Sequence, residues 1–186
     1  MRDSESNQVS VSSIWPSNFV GWLELILKFM LIFGSIGAVL QYSDVKKENR
    51  VKQTMEFVDS FNTGQILESQ LRLDAFWAHY HEEIIELKQK RIADNKKKEL
   101  IRSIVFPIVD NNIEQQKDID FIVRFFANLH ICVDNGICDK AVARSFFIRY
   151  AEGFFDFYQS WIDYKRKITP YYACELEAFL HQIKCQ

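Results

Sequence analysis

The sequence predicts an all-α protein with one membrane span, and three observations carry that reading. The stretch Phe19–Tyr42, FVGWLELILKFMLIFGSIGAVLQY, is apolar apart from Glu24 and Lys28, and Phe29 to Leu40 carries no charge. A helix needs about 20 mainly apolar residues at ~1.5 Å rise each to cross a bilayer, and this stretch meets that length. Beyond it, apolar residues recur at steps of three and four, the mark of helices that bury one face. Only 6 Gly and 3 Pro in 186 residues leave little room for a turn-rich β fold, while 48% hydrophobic residues and 16 Phe, 7 Tyr and 4 Trp suffice for a packed core. The expected organisation is a short extracytoplasmic arm (1–18), a transmembrane helix (19–42) and a cytosolic helical bundle (43–186).

The arm ends in VSVSSIWPSN. Ile14 and Trp15 can touch the outer interface, and Ser17 or Asn18 can cap the span, with Pro16 leaving the start open. Trp22 and Tyr42 stand near the two ends of the apolar run, where amphipathic aromatics favour the headgroup region. A cleaved signal peptide needs a positive start directly before its apolar core, whereas the arm sets Arg2 against Asp3 and Glu5. After the span come Lys46, Lys47, Arg50 and Lys52. Positive charge is retained in the cytoplasm, so the expected topology is N-terminus outside and domain inside, single-pass, in a bacterial inner membrane. Within the span, Gly21, Glu24, Lys28, Leu31, Ser35 and Ala38 fall on one helix face. A charge in hydrocarbon costs about 2.5–3.5 kcal/mol on insertion scales and normally turns to a bundle interior or water, and small residues allow helices to approach closely. The stripe therefore predicts an oligomer face. The alternative is a Glu24–Lys28 pair that snorkels to the outer interface.

Residues 44–61 read as a helix leaving the membrane, with Val51, Met55 and Val58 on one side, either continuing the span or tethering the domain. Thr63 is expected to cap a long helix to about Arg91. Leu73, Trp77, Tyr80, Ile84 and Leu87 mark its buried face, with His81 one turn from Trp77. Its basic tail, KQKRIADNKKK, runs into a helix started by Asp94 or Asn95. Lys96, Lys97, Lys98 and Arg102 lie in the first turns of that helix, where the dipole disfavours cations, so they are either a solvated surface or a ligand site. Leu100, Ile101, Ile104, Val105 and Ile108 form its apolar side, and Pro107 is expected to kink or end it. The next helix is expected from near Asp118 to Asn135-Gly136, a left-handed stop, burying Ile122, Phe125, Phe126, Leu129 and Val133. Asp139 caps a further helix whose stripe of Val142, Phe146, Tyr150, Phe154, Phe157, Trp161 and Tyr164, widened by Phe147, Phe155 and Tyr158, reads as core. It closes on Lys165, Arg166 and Lys167, which suit a C-terminus. Thr169-Pro170 is expected to start a final helix to about Lys184.

Formal net charge is −2, so no global field calls for DNA. No Gly-rich phosphate loop, nucleophile elbow or H-E-x-x-H is present. His79 and His81 point to different faces of a helix, and the four cysteines, Cys132, Cys138, Cys174 and Cys185, make no C-x-x-C pair. Neither a metal nor a cofactor is expected, and nothing supports an enzyme. In the cytoplasm the cysteines would be reduced thiols, buried as small apolar side chains.

At FFANLHICVDNGICDKAVARSFF, through Phe125, Phe126, Leu129, Val133, Gly136, Asp139 and Phe146, the chain resembles a widespread group of uncharacterised bacterial proteins that pair one N-terminal span with a cytosolic helical domain. The whole plan also resembles type III CRISPR-associated membrane effectors, in which an N-terminal span is joined to a C-terminal cyclic-tetra-adenylate sensor. That resemblance implies anti-phage defence by membrane disruption once the cyclic oligoadenylate binds, and a homo-oligomer, four copies suiting four adenylates. Recognition of such a ligand needs cations for phosphates and flat rings for adenines. The candidates are Lys96, Lys97, Lys98 and Arg102 for phosphate, and Trp77, Tyr80 and His81 for stacking. A membrane-anchored scaffold for another protein, with no nucleotide ligand, is the alternative function.

Overall fold

The computed structural model describes residues 17–89, 93–181 and 183. The arm before Ser17, including Ile14, Trp15 and Pro16, lies outside the described residues, as do Lys90, Arg91, Lys184 and Cys185. Among the described residues there is no strand. The chain runs through α1 (Ser17–Phe61), α2 (Gly64–Ala78), α3 (His81–Gln89), α4 (Asp94–Asp110), α5 (Ile113–Asp134), α6 (Lys140–Ile168) and α7 (Cys174–His181). The all-α class with an apolar N-terminal helix is therefore the observed one. Two compact units are present, one ending at Lys46 and the other covering Lys47–Gln186.

The first unit is the apolar part of α1. Leu27, Phe29, Met30, Leu31, Ile32 and Phe33 are all exposed. It is one candidate membrane-spanning helix near the N-terminus. Glu24 and Lys28 pair within the helix, Lys28 Nζ standing 2.8 Å from Glu24 Oε1, and the Ser35 hydroxyl donates to Ile32 O at 2.8 Å.

The second unit packs around α5 and α6. Ile119, Ile122, Phe126 and Leu129 of α5 are wholly buried, as are Ala143, Ala151 and Ile162 of α6. Phe61, at the end of α1, meets Phe125, Phe126, Phe147 and Tyr150 with ring centroids 4.9–6.2 Å apart, so the end of α1 is tied to both central helices. Leu176 and Phe179 of α7 close the core from another side. A carboxylate is buried in this unit: Asp118 accepts from Arg72 Nε at 3.2 and 3.0 Å and from Nη2 at 2.6 Å. The paired fork is what makes burial of that charge tolerable. These hydrogen bonds also hold the guanidinium more firmly protonated.

Several sequence expectations are corrected here. The helix expected from Thr63 to Arg91 breaks at His79–Tyr80, where His79 N donates to Phe76 O and Tyr80 N to Trp77 O, a tightening to three-residue spacing. Thr63 does not cap α2 with its side chain, which donates back to Asp59 O instead. Pro107 does not end α4. It lies inside the helix, which runs on to Asp110 with Val105 and Val109 on either side of it wholly buried. The helix expected from near Asp118 starts at Ile113, because the Asn112 side chain accepts from the amides of Glu114 and Gln115. Pro170 does not start the last helix. Tyr172 is held by its hydroxyl on Asp120 and its carbonyl on Arg166 Nε, Ala173 turns at φ 57°, and α7 begins only at Cys174. Among the described residues the cysteines are not free thiols: Cys132 and Cys138 form a disulfide, and Cys174 is disulfide-bonded as well. Asp139 does cap α6, accepting from Val142 N, and Gly136 at φ 65° is the left-handed stop of α5.

Candidate functional site

The aromatic stripe of α6 serves two purposes rather than one. Phe147, Phe155 and Trp161 are buried in the core, while Phe146 is 52% exposed and Tyr150 and Phe157 are half-buried. Gly153 lies between Tyr150 and Phe157 on α6. A Cβ at that position would meet nothing within 4 Å, so the middle of α6 faces open space. That space is a groove of about 330 Å³ between α2 and α6, lined by Leu73, Asp74, Trp77, Arg149, Tyr150, Gly153, Phe154, Phe157 and Tyr158.

Its walls are fixed by ring contacts. Trp77 stands edge-on to Phe157 with centroids 4.9 Å apart, in the edge-to-face arrangement that the ring quadrupoles favour. The indole Nε1 donates to the Tyr158 hydroxyl at 2.7 Å, which locks the orientation of the indole. Tyr150 stacks on Phe154 at 6.1 Å, and Phe154 lies 4.8 Å from Tyr158. Burial pushes the Tyr158 phenol well above its ordinary range, and it does the same for Tyr150, with the charge of Asp74 adding to the effect. Both hydroxyls are therefore neutral at physiological pH and available as uncharged donors and acceptors. Asp74 and Arg149, both exposed, put one charge of each sign at the groove. Such a surface suits a flat apolar ring system carrying a few polar atoms.

The sequence-derived candidates divide. Trp77 and Tyr80 come together, their rings 5.6 Å apart. Trp77 lines the groove, and Tyr80 lies in the break between α2 and α3. His81 opens α3 and is exposed. The cations of α4 reach α6 instead: Lys98 Nζ is 2.5 Å from Asp156 Oδ2, Arg102 donates to Gln159, and Ser160 donates to Arg102 O. Lys96 is exposed at the start of α4, and Lys97 is half-buried. Thus α6 presents Asp156, Gln159 and Ser160 to α4, and Tyr150, Gly153 and Phe157 to the groove. Asp74, Arg149, Tyr150 and Gly153 join the site without having been singled out for it by the sequence pattern. The available signal is Gly153 itself, because glycine inside a helix costs about 1 kcal/mol against alanine and so asks for a reason.

A second hollow, of about 220 Å³, lies among His130, Lys140, Arg144 and Phe179. Its Arg144 is already committed, Nη1 donating to the Phe179 and Leu180 carbonyls near the end of α7. Among the described residues no cluster of His, Cys, Asp and Glu could hold a metal ion.

The family model described as Domain of unknown function (DUF4760) matches residues 24–182. The chain belongs to that family. The DUF4760 match begins inside the apolar part of α1 and runs to the end of α7, so it takes in the α2–α6 groove and much of the candidate span together. No curated protein and no solved structure matches the chain.

Proposed function

We propose that this DUF4760 protein is a single-span membrane sensor whose helical domain binds a flat, ring-bearing ligand in the α2–α6 groove. The observation that carries the reading is the groove: aromatic faces held in place by the Trp77–Tyr158 hydrogen bond, with no side chain at Gly153 to fill it. The span gives the sensor its membrane setting. We take its orientation from Lys46, Lys47, Arg50 and Lys52, which favour a cytoplasmic domain in a bacterial inner membrane. The stripe of Gly21, Glu24, Lys28, Leu31, Ser35 and Ala38 is then the contact between copies, and ligand binding acts through it to disrupt the membrane.

The narrower form of the proposal is an anti-phage effector for a cyclic oligoadenylate. The groove favours the adenine half of such a ligand, since bases stack on aromatic faces at about 1–3 kcal/mol each. The phosphate half has less support, because Lys98 and Arg102 are engaged by α6 and Arg149 is the one cation lining the groove among the described residues. The test is a calorimetric titration of the full chain in nanodiscs with adenosine monophosphate and with cyclic tetra- and hexa-adenylate. Heat that disappears in Trp77→Leu is the expected result. No heat with any ring size would remove the adenylate reading, and a stoichiometric protein partner co-purifying without nucleotide would favour the scaffold.

A further inference from the structure

The turn between α5 and α6 does more than connect them. Cys132 in the last turn of α5 is bonded to Cys138, six residues on. The closed turn is drawn inward by its own amides, those of Ile137 and Cys138 both donating to Cys132 O at 3.0 Å. The next residue leaves the turn and grips α1: Asp139 N donates to Thr54 Oγ1 at 2.8 Å and approaches Arg50 O at 3.3 Å. Thr54 is wholly buried, and its hydroxyl in turn donates to Arg50 O at 2.8 Å. Arg50 packs against Gly136, where a Cβ would lie 3.5 Å from Nη2. A side chain at 136 would also be strained by the positive φ. One covalently closed turn therefore holds the end of α5, the start of α6 through the Asp139 cap, and the Arg50–Thr54 segment of α1.

We infer that the Cys132–Cys138 pair is a thiol–disulfide switch that sets how firmly the domain holds α1. The inference rests on the cytoplasmic placement of the domain. In that compartment thiols are kept reduced, and disulfides are characteristically transient and redox-sensing. The reductant is a dithiol. Cys132 and Cys138 are both buried, so attack follows a local opening of the turn: the dithiol's thiolate then attacks one sulfur of the pair to give a mixed disulfide, its second thiolate resolves that bond, and it leaves as its own disulfide. Two electrons and two protons pass to Cys132 and Cys138, which become thiols. With the crosslink gone, the positions of Ile137 and Cys138 over the end of α5 depend on hydrogen bonds alone. The Asp139–Thr54 contact then opens more often. Because α1 runs unbroken from Ser17 to Phe61, the grip at Arg50–Thr54 acts on the helix that carries the candidate span.

The experiment is hydrogen exchange with mass spectrometry on the full chain in nanodiscs, oxidised and after dithiothreitol. Exchange in the peptides covering 132–142 and 47–58 should rise at least tenfold on reduction, with 113–125 unchanged. The reductant also reaches the disulfide of Cys174. The double variant Cys132→Ser/Cys138→Ser isolates the switch, and should exchange at the reduced rate with or without reductant. Equal exchange in oxidised parent and double variant would overturn the inference. A C-terminal fusion to fluorescent protein or alkaline phosphatase tests the placement separately. Phosphatase activity would put the domain outside, make the disulfide a permanent staple and overturn the switch through its premise. Fluorescence together with a redox-insensitive turn would overturn the switch alone.

Discussion

Gly153 gives the sharpest test of the groove, because stability and binding should move in opposite directions. It lies within α6, and a methyl group placed on its Cα would find nothing within 4 Å. Alanine there should lose no contact and should gain helix propensity, about 1 kcal/mol relative to glycine. Part of that gain comes from the unfolded chain, which has fewer conformations to lose. For a domain of this size, ~1 kcal/mol corresponds to a rise of about 3–4 °C in Tm, readable by circular dichroism of the full chain in detergent. Leucine at the same position should keep or exceed the parental Tm while projecting into the groove of about 330 Å³. Ligand affinity should then drop at least tenfold, about 1.4 kcal/mol. A lower Tm for Gly153→Ala would mean that the bare face of α6 is already covered, and the groove as a ligand site would fail. Parental affinity in Gly153→Leu would refute it from the binding side.

Trp77→Phe should destabilise the domain by about 1–3 kcal/mol by leaving the Tyr158 hydroxyl without its 2.7 Å donor, and a cycle with Tyr158→Phe in urea should return a coupling of about 1 kcal/mol. Alkaline stability follows from burial: Tyr158, Tyr172 and Tyr150 are all pushed above their ordinary range, so the folded state keeps phenolic protons that the unfolded chain releases near pH ~10. The contribution of these tyrosines should be flat below about pH 10 and fall above it by about 1.4 kcal/mol per pH unit for each, and Tyr158→Phe should flatten its share of that slope in urea titrations. In the span, Glu24→Leu/Lys28→Leu removes an ion pair of 2.8 Å. It should keep insertion and ligand binding but abolish dye release from liposomes, and parental dye release would reduce the stripe to an anchor.

The periodic segments were legible because their period is a direct consequence of burial. Ile122, Phe125, Phe126 and Leu129 share one side of α5, and the structure buries them there. Helix ends were less legible where the deciding partner lies far away in sequence. The start of α7 is set by Asp120 and Arg166 acting on Tyr172, and no local signal in Thr169-Pro170 reveals that. Asn112 was a local cap all the same, obscured by the polar run after it, Glu114 to Lys117, which has no apolar period to announce a helix. The break at His79–Tyr80 falls within an unbroken apolar pattern, from Leu73 to Leu87, so periodicity alone could not have shown it.

The site was legible in kind but not in partnership. Trp77 was recognisable as a stacking candidate, but whether Lys98 and Arg102 are free for phosphate depends on what α6 sets opposite them, and Asp156 and Gln159 answer that only in three dimensions. The same limit applied to the cysteines. The six-residue step from Cys132 to Cys138 fits neither a metal knuckle nor a redox C-x-x-C pair, and the pair becomes meaningful only once Gly136 turns the chain back over Cys132. The family match runs from within the apolar part of α1 through α7, and α1 is the continuous helix shared by the candidate span and the domain. On the proposed reading, the groove acts on the candidate span through the holds the domain keeps on α1. Those holds include the aromatic packing of Phe61 beside Tyr150 at the groove and the Asp139–Thr54 contact at the disulfide turn. Tyr150 lines the groove and touches Phe61 with centroids 4.9 Å apart, so on the proposed reading a ligand that moves its ring acts on the end of α1, and on the inferred switch the redox state of the turn sets how freely the helix responds.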